Sequence, residues 1–571
     1  QAHDYHLPQG DLGETLTQFA AESGIVLSFD THWTRGKRSP ALEGRYDVDQ
    51  ALQILLSGTG LQATRESDGR YSLLSSTQQG DALELAPSRV DALGLGNVTE
   101  GTGAYTTGGS TSATKLPLTL RETPQSVSVI TRQRMDDQDM QSLEDVLKNT
   151  PGMSMTKDGP QRPTFYARGF AVENLMSDGL SNDLSHYLSR DMNSTPDMAI
   201  YDRVEVVRGA TGLMQGSGTP SAAINMVRKR PTADPRLSIT GSAGSWDNYR
   251  SELDVTGPLG FDGRLRGRMV MAYQDRQYFV DNRATDKPLV YGVLEADVSD
   301  DTMLTAGLRF NKVHETGTAS QLPRYSNGAD LGLPRHTGLS TTWAYADGFS
   351  REYFAKLDHR LNDDWKLNLS YTNIYDTIDT NNATTLGSVN PVTGVGVTRY
   401  GTYVTQWSEQ NLWDANFSGD FSMFGLDHKL VVGADYQEID SRWRGTGRFT
   451  TAGGAVNVFD PNSTPWDDPG ARPVFSRNYS PNSQEQYGLY SNLRLQLAEP
   501  LHLIVGARAQ RFHFWQTYTN NLVTPASISS PEQRIGTKVT PFGGLVYDLD
   551  DQWSAYASYS EIYKPQSSRI S

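Results

Sequence analysis

The chain has 571 residues and a net charge of −15, and aromatic residues make up 10% of it. This aromatic content excludes a disordered chain, and the acidic balance argues against a nucleic-acid-binding protein. The sequence holds no cysteine and no apolar run of about 18 residues. It therefore predicts no transmembrane helix and no disulfide, thiolate nucleophile or cysteine-bound metal.

Residues 1–74 are predicted to form a small α/β domain. Asp11 can cap a first helix with an apolar face, which stops at Gly24, and Asp47 can cap a second one. Short apolar segments between and after the helices read as strands. Such a module is compact and offers no enzyme cleft.

Residues 75–115 have the composition of a flexible linker. Six glycines, with serine and threonine between them, lie within residues 94–109. One piece of the linker alternates in apolar character: Leu83, Glu84, Leu85, Ala86, Pro87 and Ser88.

Residues 116–235 are dense in turn and cap signals. Ser142 opens a variant of the capping box, which predicts a short helix that ends before Pro151. Valine alternates with charged residues over 202–209, as in a strand.

From residue 236 to 571 the sequence alternates apolar and polar residues in about 13 or 14 segments, each near the ~10 residues of a tilted membrane strand. One reading is a soluble β-sandwich or barrel, and the other is a membrane β-barrel. Aromatic residues recur near the segment ends, as at Tyr371, Trp515 and Trp553. Connections alternate between very short and very long, which favours the membrane barrel.

The middle of the chain resembles the plug domain of TonB-dependent ferric-siderophore receptors. The matching motifs follow one another in the family's order: residues 121–127, 143–152, 166–170, 200–209 and 224–232. Residues 1–74 are similar to the N-terminal signalling domain of the transducer subset. Within the family, the likeness is greatest to ferripyoverdine- and ferrioxamine-type receptors.

The resemblance implies a mainly β fold: an outer-membrane β-barrel of 22 strands in the family, an internal α/β plug at 116–235 and the α/β signalling domain at 1–74. Only about 13 or 14 of those strands fit between residues 236 and 571. Because raw sheet edges are not viable in lipid, we expect the given chain to be a shortened form of the family's barrel protein.

The resemblance also implies a function. We expect a monomeric outer-membrane receptor that imports a ferric siderophore and carries out no covalent chemistry. The expected partners are the energy-transducing protein TonB, outer-membrane lipid and the periplasmic domain of an anti-sigma regulator, with the signalling domain in the periplasm. No nucleic acid is expected. The siderophore carries the iron(III), so neither a protein metal site nor a bound cofactor is expected.

Six residues are candidate ligand contacts, and two of them have a plainer alternative. Arg162 matches the position of a ligand-contacting plug arginine, but it could be an ordinary loop residue. His186 and Tyr187 lie in the second plug loop, and Trp343 and Tyr345 match an aromatic stretch of a ligand-facing loop. Trp407 could equally belong to an aromatic girdle at the membrane interface.

The segment from Leu83 to Ser88 occupies the place of the TonB box. An extended segment can add as a strand to a sheet edge of the energy protein, so that main-chain hydrogen bonds carry force. The alternative is a plain linker.

Three rival functions remain open at this point. A passive porin would need an open lumen, whereas residues 116–235 predict a folded insert. An outer-membrane enzyme would need a catalytic constellation, and none stands out. The same fold could import haem or cobalamin, and His336 is available as an axial haem ligand.

Overall fold

The computed structural model describes residues 3–25, 27–28, 34, 37–65, 71–75, 98–157, 162–183, 196–317, 322–450, 455–468, 470, 473–550 and 552–566. The chain divides into two compact units, residues 1–89 and residues 90–571. No helix within the described residues is long and apolar enough to cross a membrane.

The first unit is the predicted α/β domain. Its helices are α1 (Leu12–Ser23) and α2 (Val48–Leu55), capped by Asp11 and Asp47 as predicted, and Gly24 ends α1 in the left-handed conformation. The apolar faces of both helices enclose one buried cluster with the strands. The strands are β1 (His3–Leu7), β2 (Gly10–Asp11), β3 (Leu27–Ser28), β4 (Arg38–Ser39), β5 (Leu42–Tyr46), β6 (Leu61–Arg65) and β7 (Tyr71–Ser75).

The second unit contains a folded insert, residues 98–235, which we call the plug. The strands are β8 (Ser126–Thr131), β9 (Met153–Lys157), β10 (Pro163–Ala167), β11 (Phe170–Ala171), β12 (Asn174–Ser177), β13 (Leu180–Asp183), β14 (Tyr201–Arg208) and β15 (Ala222–Arg228). One sheet has the order β13-β12-β15-β14-β8, and a second has the order β11-β10-β9. The helices are α3 (Arg132–Asp137), α4 (Leu143–Lys148) and α5 (Gly212–Gln215), with a 3-10 turn at Met198–Ile200.

The prediction of a flexible linker up to residue 115 is wrong for residues 98–115. The backbone N–H of Thr99 donates to the carboxylate of Asp202, and the hydroxyls of Ser110 and Ser112 both donate to Glu205. These serines are buried. Glycine-rich composition suggests flexibility, but here the small residues pack closely around a buried carboxylate, so the plug begins near residue 98.

The rest of the unit is one antiparallel sheet of 14 strands that begins at Arg236, the predicted boundary. Each strand pairs with the next along the chain, except that β26 pairs with both β27 and β28. The strands are β16 (Arg236–Gly244), β17 (Asn248–Gly260), β18 (Leu265–Gln277), β19 (Ala284–Ser299), β20 (Thr302–Thr316), β21 (Tyr345–Arg360), β22 (Trp365–Leu386), β23 (Thr398–Met423), β24 (Leu426–Thr446), β25 (Phe475–Ala498), β26 (Leu501–Asn520), β27 (Ser527–Ser529), β28 (Glu532–Asp548) and β29 (Ser554–Ser560).

The connections at the two ends of the strands differ, and we call each end of the sheet an edge. At one edge the strands are joined by tight turns such as residues 300–301, 361–364 and 424–425, and we call it the short-turn edge. At the other, connections such as 317–344 and 447–474 are long, and we call it the long-loop edge. The second of these long connections contains a 3-10 turn at Pro461–Ser463. This asymmetry confirms the predicted alternation of connections.

The two faces of the sheet also differ. On β23 the even-numbered side chains face the plug, since Gln410 donates to Asn182 there, and Trp413 on the opposite face is half exposed. The outward face is apolar and exposed over its middle, with Leu304, Val432 and Leu489 among its residues. An exposed apolar band around a sheet whose inner face is polar is typical of a membrane β-barrel wall.

Candidate functional site

The plug is held against the sheet by a buried cluster of charges. Asp178, between β12 and β13, pairs with Arg228 at 2.5 Å and with Lys356 of β21 at 2.9 Å. Arg228 also pairs with Glu352 of the wall, and its guanidinium lies 4.3 Å from the centre of the Phe354 ring. All four charged side chains are at most 10% exposed. Each charge must therefore find its partner within the cluster rather than in water.

The charges set the ionisation state of the cluster. Burial alone would raise the pKa of Asp178, but the positive charges of Lys356 and Arg228 and the backbone hydrogen bond from Arg228 hold that pKa well below its usual range. Asp178 is therefore a carboxylate near neutral pH, and its pair with Lys356 joins the plug to the wall electrostatically.

A second buried cluster lies wholly within the plug. Arg203 pairs with Asp202 at 3.0 Å and with Glu205 at 2.6 Å, and Arg208 donates to the Pro151 carbonyl. These contacts lie inside the plug and do not join it to the barrel wall.

The short strand β13 lies against the inner face of β23, β24 and β25. Leu180 packs with Ile374 and Leu412 of the wall. Three glutamine side chains then donate to β13 in succession: Gln437 to the Ser181 carbonyl at 3.1 Å, Gln410 to Asn182 at 2.7 Å and Gln484 to Asp183 at 3.0 Å. The strand therefore runs along the wall with its last residue toward the long-loop edge.

An aromatic surface faces the lumen beyond the end of β13. Trp443, Tyr479 and Tyr518 lie side by side on β24, β25 and β26, with ring centroids 5.5 and 4.4 Å apart. They are two inward-facing positions beyond Gln484, about 13 Å farther along the strands. Arg477, one position beyond Tyr479, places its guanidinium 5.7 Å from the Trp443 ring.

A β-bulge in β25 puts Tyr479 on the inner face. Tyr479 pairs with Tyr518 and Asn482 pairs with Gln516, so β25 has one extra residue in this interval. Below the bulge the even-numbered residues of β25 face inward, and above it the odd-numbered ones do. Simple alternation would have placed Tyr479 in lipid, which is why sequence reasoning missed it. The sequence signal that could have revealed this surface is an aromatic residue near the same end of three successive strands: Trp443, Tyr479 and Tyr518.

The three half-buried rings and a guanidinium form a surface suited to a large polar chelate with flat groups. Aromatic faces bind planar groups by stacking, and a guanidinium donates to carboxylate or carbonyl oxygens. Asn482 and Gln516 add amide groups in the layer below, and they are hydrogen-bonded to each other at 2.9 Å. The arrangement can bind and orient a ligand.

The predicted plug residues fall in two groups. Arg162 lies just before β10 and is half buried. His186 and Tyr187 of the second plug loop lie outside the described residues, as does the whole box segment from Leu83 to Ser88. The second loop leaves the plug at Asp183, directly below the aromatic surface.

Trp343 and Tyr345 do not line the lumen. The Trp343 indole N–H donates to the Trp466 carbonyl at 2.8 Å, and its ring contacts those of Trp466 and Phe449. Tyr345 opens β21 on the outward face, since the inward-facing residues of that strand are even-numbered, as Glu352 is. Trp343 therefore packs one loop against another.

Trp407 faces outward, in line with Trp413 and opposite to Gln410. Its ring lies edge-on to Tyr375 at 6.2 Å. The position favours the girdle reading and gives no support to ligand contact. A concavity of about 1260 Å³ crosses this outward face beside Tyr371 and Tyr487, so it is a lipid-facing surface.

Three family models match the chain. Residues 313–571 match the β-barrel of the TonB-dependent receptor-like family, and residues 119–223 match the TonB-dependent receptor plug domain. Residues 27–76 match the short domain found at the N terminus of secretins and TonB-dependent proteins.

Similar whole proteins come from pseudomonads. The chain is 38% identical to the ferric-pyoverdine BN7/BN8 receptor of Pseudomonas putida, over 99% of this chain and 69% of that protein. It is 34% identical to the ferripyoverdine receptor of Pseudomonas aeruginosa, over 100% and 68%. The crystal structure of that receptor bound to ferripyoverdine superimposes with a TM-score of 0.74 at 30% identity, covering 100% of this chain and 71% of that one.

Proposed function

The chain belongs to the TonB-dependent receptor family, and we propose that its cargo is a ferric siderophore of the pyoverdine class. The protein is an outer-membrane siderophore receptor and transporter, not an enzyme. The folded plug against the inner wall argues against the alternative of a passive porin. The short-turn edge then faces the periplasm and the long-loop edge faces the outside.

One observation carries the proposed ligand site: the aromatic surface of Trp443, Tyr479 and Tyr518 faces the lumen on the external side of the plug. These rings and Arg477 lie on the side of the plug from which a chelate would enter. From the plug, Arg162, His186 and Tyr187 remain the proposed ligand contacts. The proposed site therefore consists of inward-facing residues and does not include Trp343, Tyr345 or Trp407.

Binding of ferric pyoverdines to the purified protein, followed by tryptophan quenching, tests the site. Trp443→Ala and Arg162→Ala are each expected to weaken binding by about 1–3 kcal/mol, from the loss of stacking or of a charge-assisted hydrogen bond. Trp407→Ala is the matched control, because it removes an outward-facing tryptophan and should leave the affinity unchanged. The opposite pattern, with loss only in Trp407→Ala, would move the site to the other face.

The energy for import comes from TonB in this family, and we assign the contact to the segment from Leu83 to Ser88. The segment lies between the signalling domain and the plug, which begins near residue 98 and is anchored to the wall through Asp178. A pull on it is therefore delivered directly to the first residues of the plug. Those residues surround Glu205 and Asp202 in its interior.

The N-terminal domain is proposed to report ligand occupancy to the periplasmic part of an anti-sigma regulator. Its own buried core, enclosed by α1 and α2, supports independent folding. Deleting residues 1–74 is expected to leave siderophore affinity and iron uptake near wild type while abolishing ligand-induced transcription. Radio-iron uptake and a promoter reporter in one strain measure both. If uptake fell together with signalling at normal receptor levels, the domain would belong to the transport machinery.

A further inference from the structure

We propose that Arg276, Arg283 and Lys287 form a second contact for the cargo, which selects chelates that carry an acidic group outside their iron-binding groups. We call these three side chains the cationic surface. The inference rests on the proposed transport of a ferric siderophore and deepens it, because it names a charge that the cargo must have. The position of the cationic surface, its partners, its net charge and its register with the aromatic surface lead to it.

The cationic surface lies on the inner wall of β18 and β19, toward the long-loop edge. On β18 the even-numbered residues face inward, since Gln274 contacts the plug, and Arg276 is the next inward-facing position. On β19 the odd-numbered residues face inward, since the Tyr291 hydroxyl donates to a plug carbonyl. Lys287 lies two inward-facing positions beyond Tyr291 and is half-buried, so a ligand in the lumen can reach it.

Within the described part of the chain, none of the three side chains forms an ion pair or donates a hydrogen bond. The Nε atoms of Arg276 and Arg283 are buried without a hydrogen-bond partner. The Arg276 guanidinium lies 4.7 Å from the centre of the Tyr278 ring, and the Tyr278 hydroxyl lies 3.4 Å from that of Thr285 on β19. The ring orients the guanidinium but does not neutralise its charge.

The surroundings leave the cationic surface positive. Asp197 of the plug accepts two hydrogen bonds from Arg250, both at 2.8 Å, and Asp281 of the external turn pairs with His336. The carboxylates next in sequence face outward: Asp275 and Asp286. Among the described residues of this part of the inner wall, three cations therefore remain against one carboxylate, Glu315. Such a surface attracts anions, in a chain whose net charge is −15.

The cationic and aromatic surfaces lie in one row of strand pairing. From Lys287 the row runs through Val313, Gly348, Ile378 and Gln406 to Trp443, Tyr479 and Tyr518. The four residues between the two surfaces are uncharged. Five strand spacings of about 4.8 Å separate β19 from β24, or about 24 Å along the wall. A chelate that reaches both surfaces therefore places a flat group on the rings and an acidic arm at the cations, where arginine can bind a carboxylate.

Two forms of one ferric pyoverdine test the inference: one with a free carboxylate outside its iron-binding groups, and one with that carboxylate amidated. The wild-type receptor is expected to bind the carboxylate form about tenfold more tightly, because charge-assisted hydrogen bonds are lost in the amide. Arg276→Met and Lys287→Met should each reduce this preference and leave the affinity for the amide form unchanged. Lys312→Met is the matched control, because it removes a cation from the outward face of β20 and should keep the preference.

Equal binding of the two forms by the wild type would overturn the inference and leave the proposed function intact. A preference that persists in both Arg276→Met and Lys287→Met would overturn it as well. Each result is read from tryptophan quenching at the same ionic strength, since salt screens the exposed part of the attraction.

A readout without siderophore separates the cationic surface from the proposed cargo. Val313→Cys introduces one thiol beside Lys287 into a chain that has no cysteine. Relative to their rates with a free thiol, an anionic methanethiosulfonate should react there faster than a cationic one, and Lys287→Met should reduce the difference. If ferric pyoverdine binds in neither form, the cargo proposal fails and this comparison still decides the charge of the surface; equal relative rates overturn the inference.

Discussion

Replacing Arg228 with methionine is expected to lower the local stability of the plug by about 3–5 kcal/mol, because it leaves Asp178 and Glu352 buried with one cation fewer. The methionine fills much of the same space, so the effect is electrostatic. Hydrogen–deuterium exchange of the peptides that contain β12 and β15 measures the opening free energy. Lys148→Met is the matched control, since the exposed pair of Lys148 with Glu144 contributes at most about 1 kcal/mol.

The acid dependence of the same variant has a definite sign. The pKa of Asp178 is lowered in the folded plug, so its contribution to stability is complete above the unfolded value of about 4 and is lost as the pH falls through the folded value. With Arg228 removed, the folded pKa of Asp178 should rise toward the unfolded value, so the contribution is smaller and its loss is complete at a higher pH than in the wild type. Equal exchange rates in Arg228→Met and wild type across this range would show that the anchor lies elsewhere.

Replacing Leu85 with proline is expected to abolish siderophore uptake and leave surface binding intact. Proline removes a backbone donor, and a segment that adds as a strand to TonB needs its main-chain donors. The lumen site lies in the other unit of the chain and is not altered. Radio-iron accumulation and surface binding at low temperature separate the two effects.

A matched substitution controls for chain stiffness. Leu85→Ala keeps the backbone donor and should retain most of the uptake. Gly94→Pro, made as a separate variant, should be tolerated if TonB engages only the segment from Leu83 to Ser88. Normal accumulation in Leu85→Pro would place the box elsewhere between residues 76 and 97. Loss in both proline variants would point to a general need for linker flexibility.

Local signals gave the elements of the fold. The caps of α1, α2 and α4 were visible as Asp11, Asp47 and Ser142, since N-cap chemistry depends on neighbours within a few residues. Strand alternation gave the large sheet because one face meets lipid and the other meets the plug. The family likeness gave the plug and the signalling domain through motifs that are spaced along the chain.

Contacts between distant residues could not be read in this way. The glycine-rich start of the plug looked like linker because the buried Glu205 that holds Ser110 and Ser112 lies more than 90 residues away. Trp343 resembled a ligand contact because its actual partner, Trp466, is 123 residues away and could not be recognised from the sequence. Trp443, Tyr479 and Tyr518 come together through sheet register, which the composition of any one strand does not contain.

The bulge in β25 separates the proposed ligand surface from the part of the strand that pairs below it in the membrane wall. Removal of one residue between Tyr479 and Asn482 would rotate only the external end of the strand and turn Tyr479 and Arg477 away from the lumen. The pairing below, where Gln484 and Gln486 meet the plug, would keep its register. Single-residue insertions and deletions at this point therefore offer a route by which related receptors diverge in ligand preference while the transport apparatus beneath stays the same.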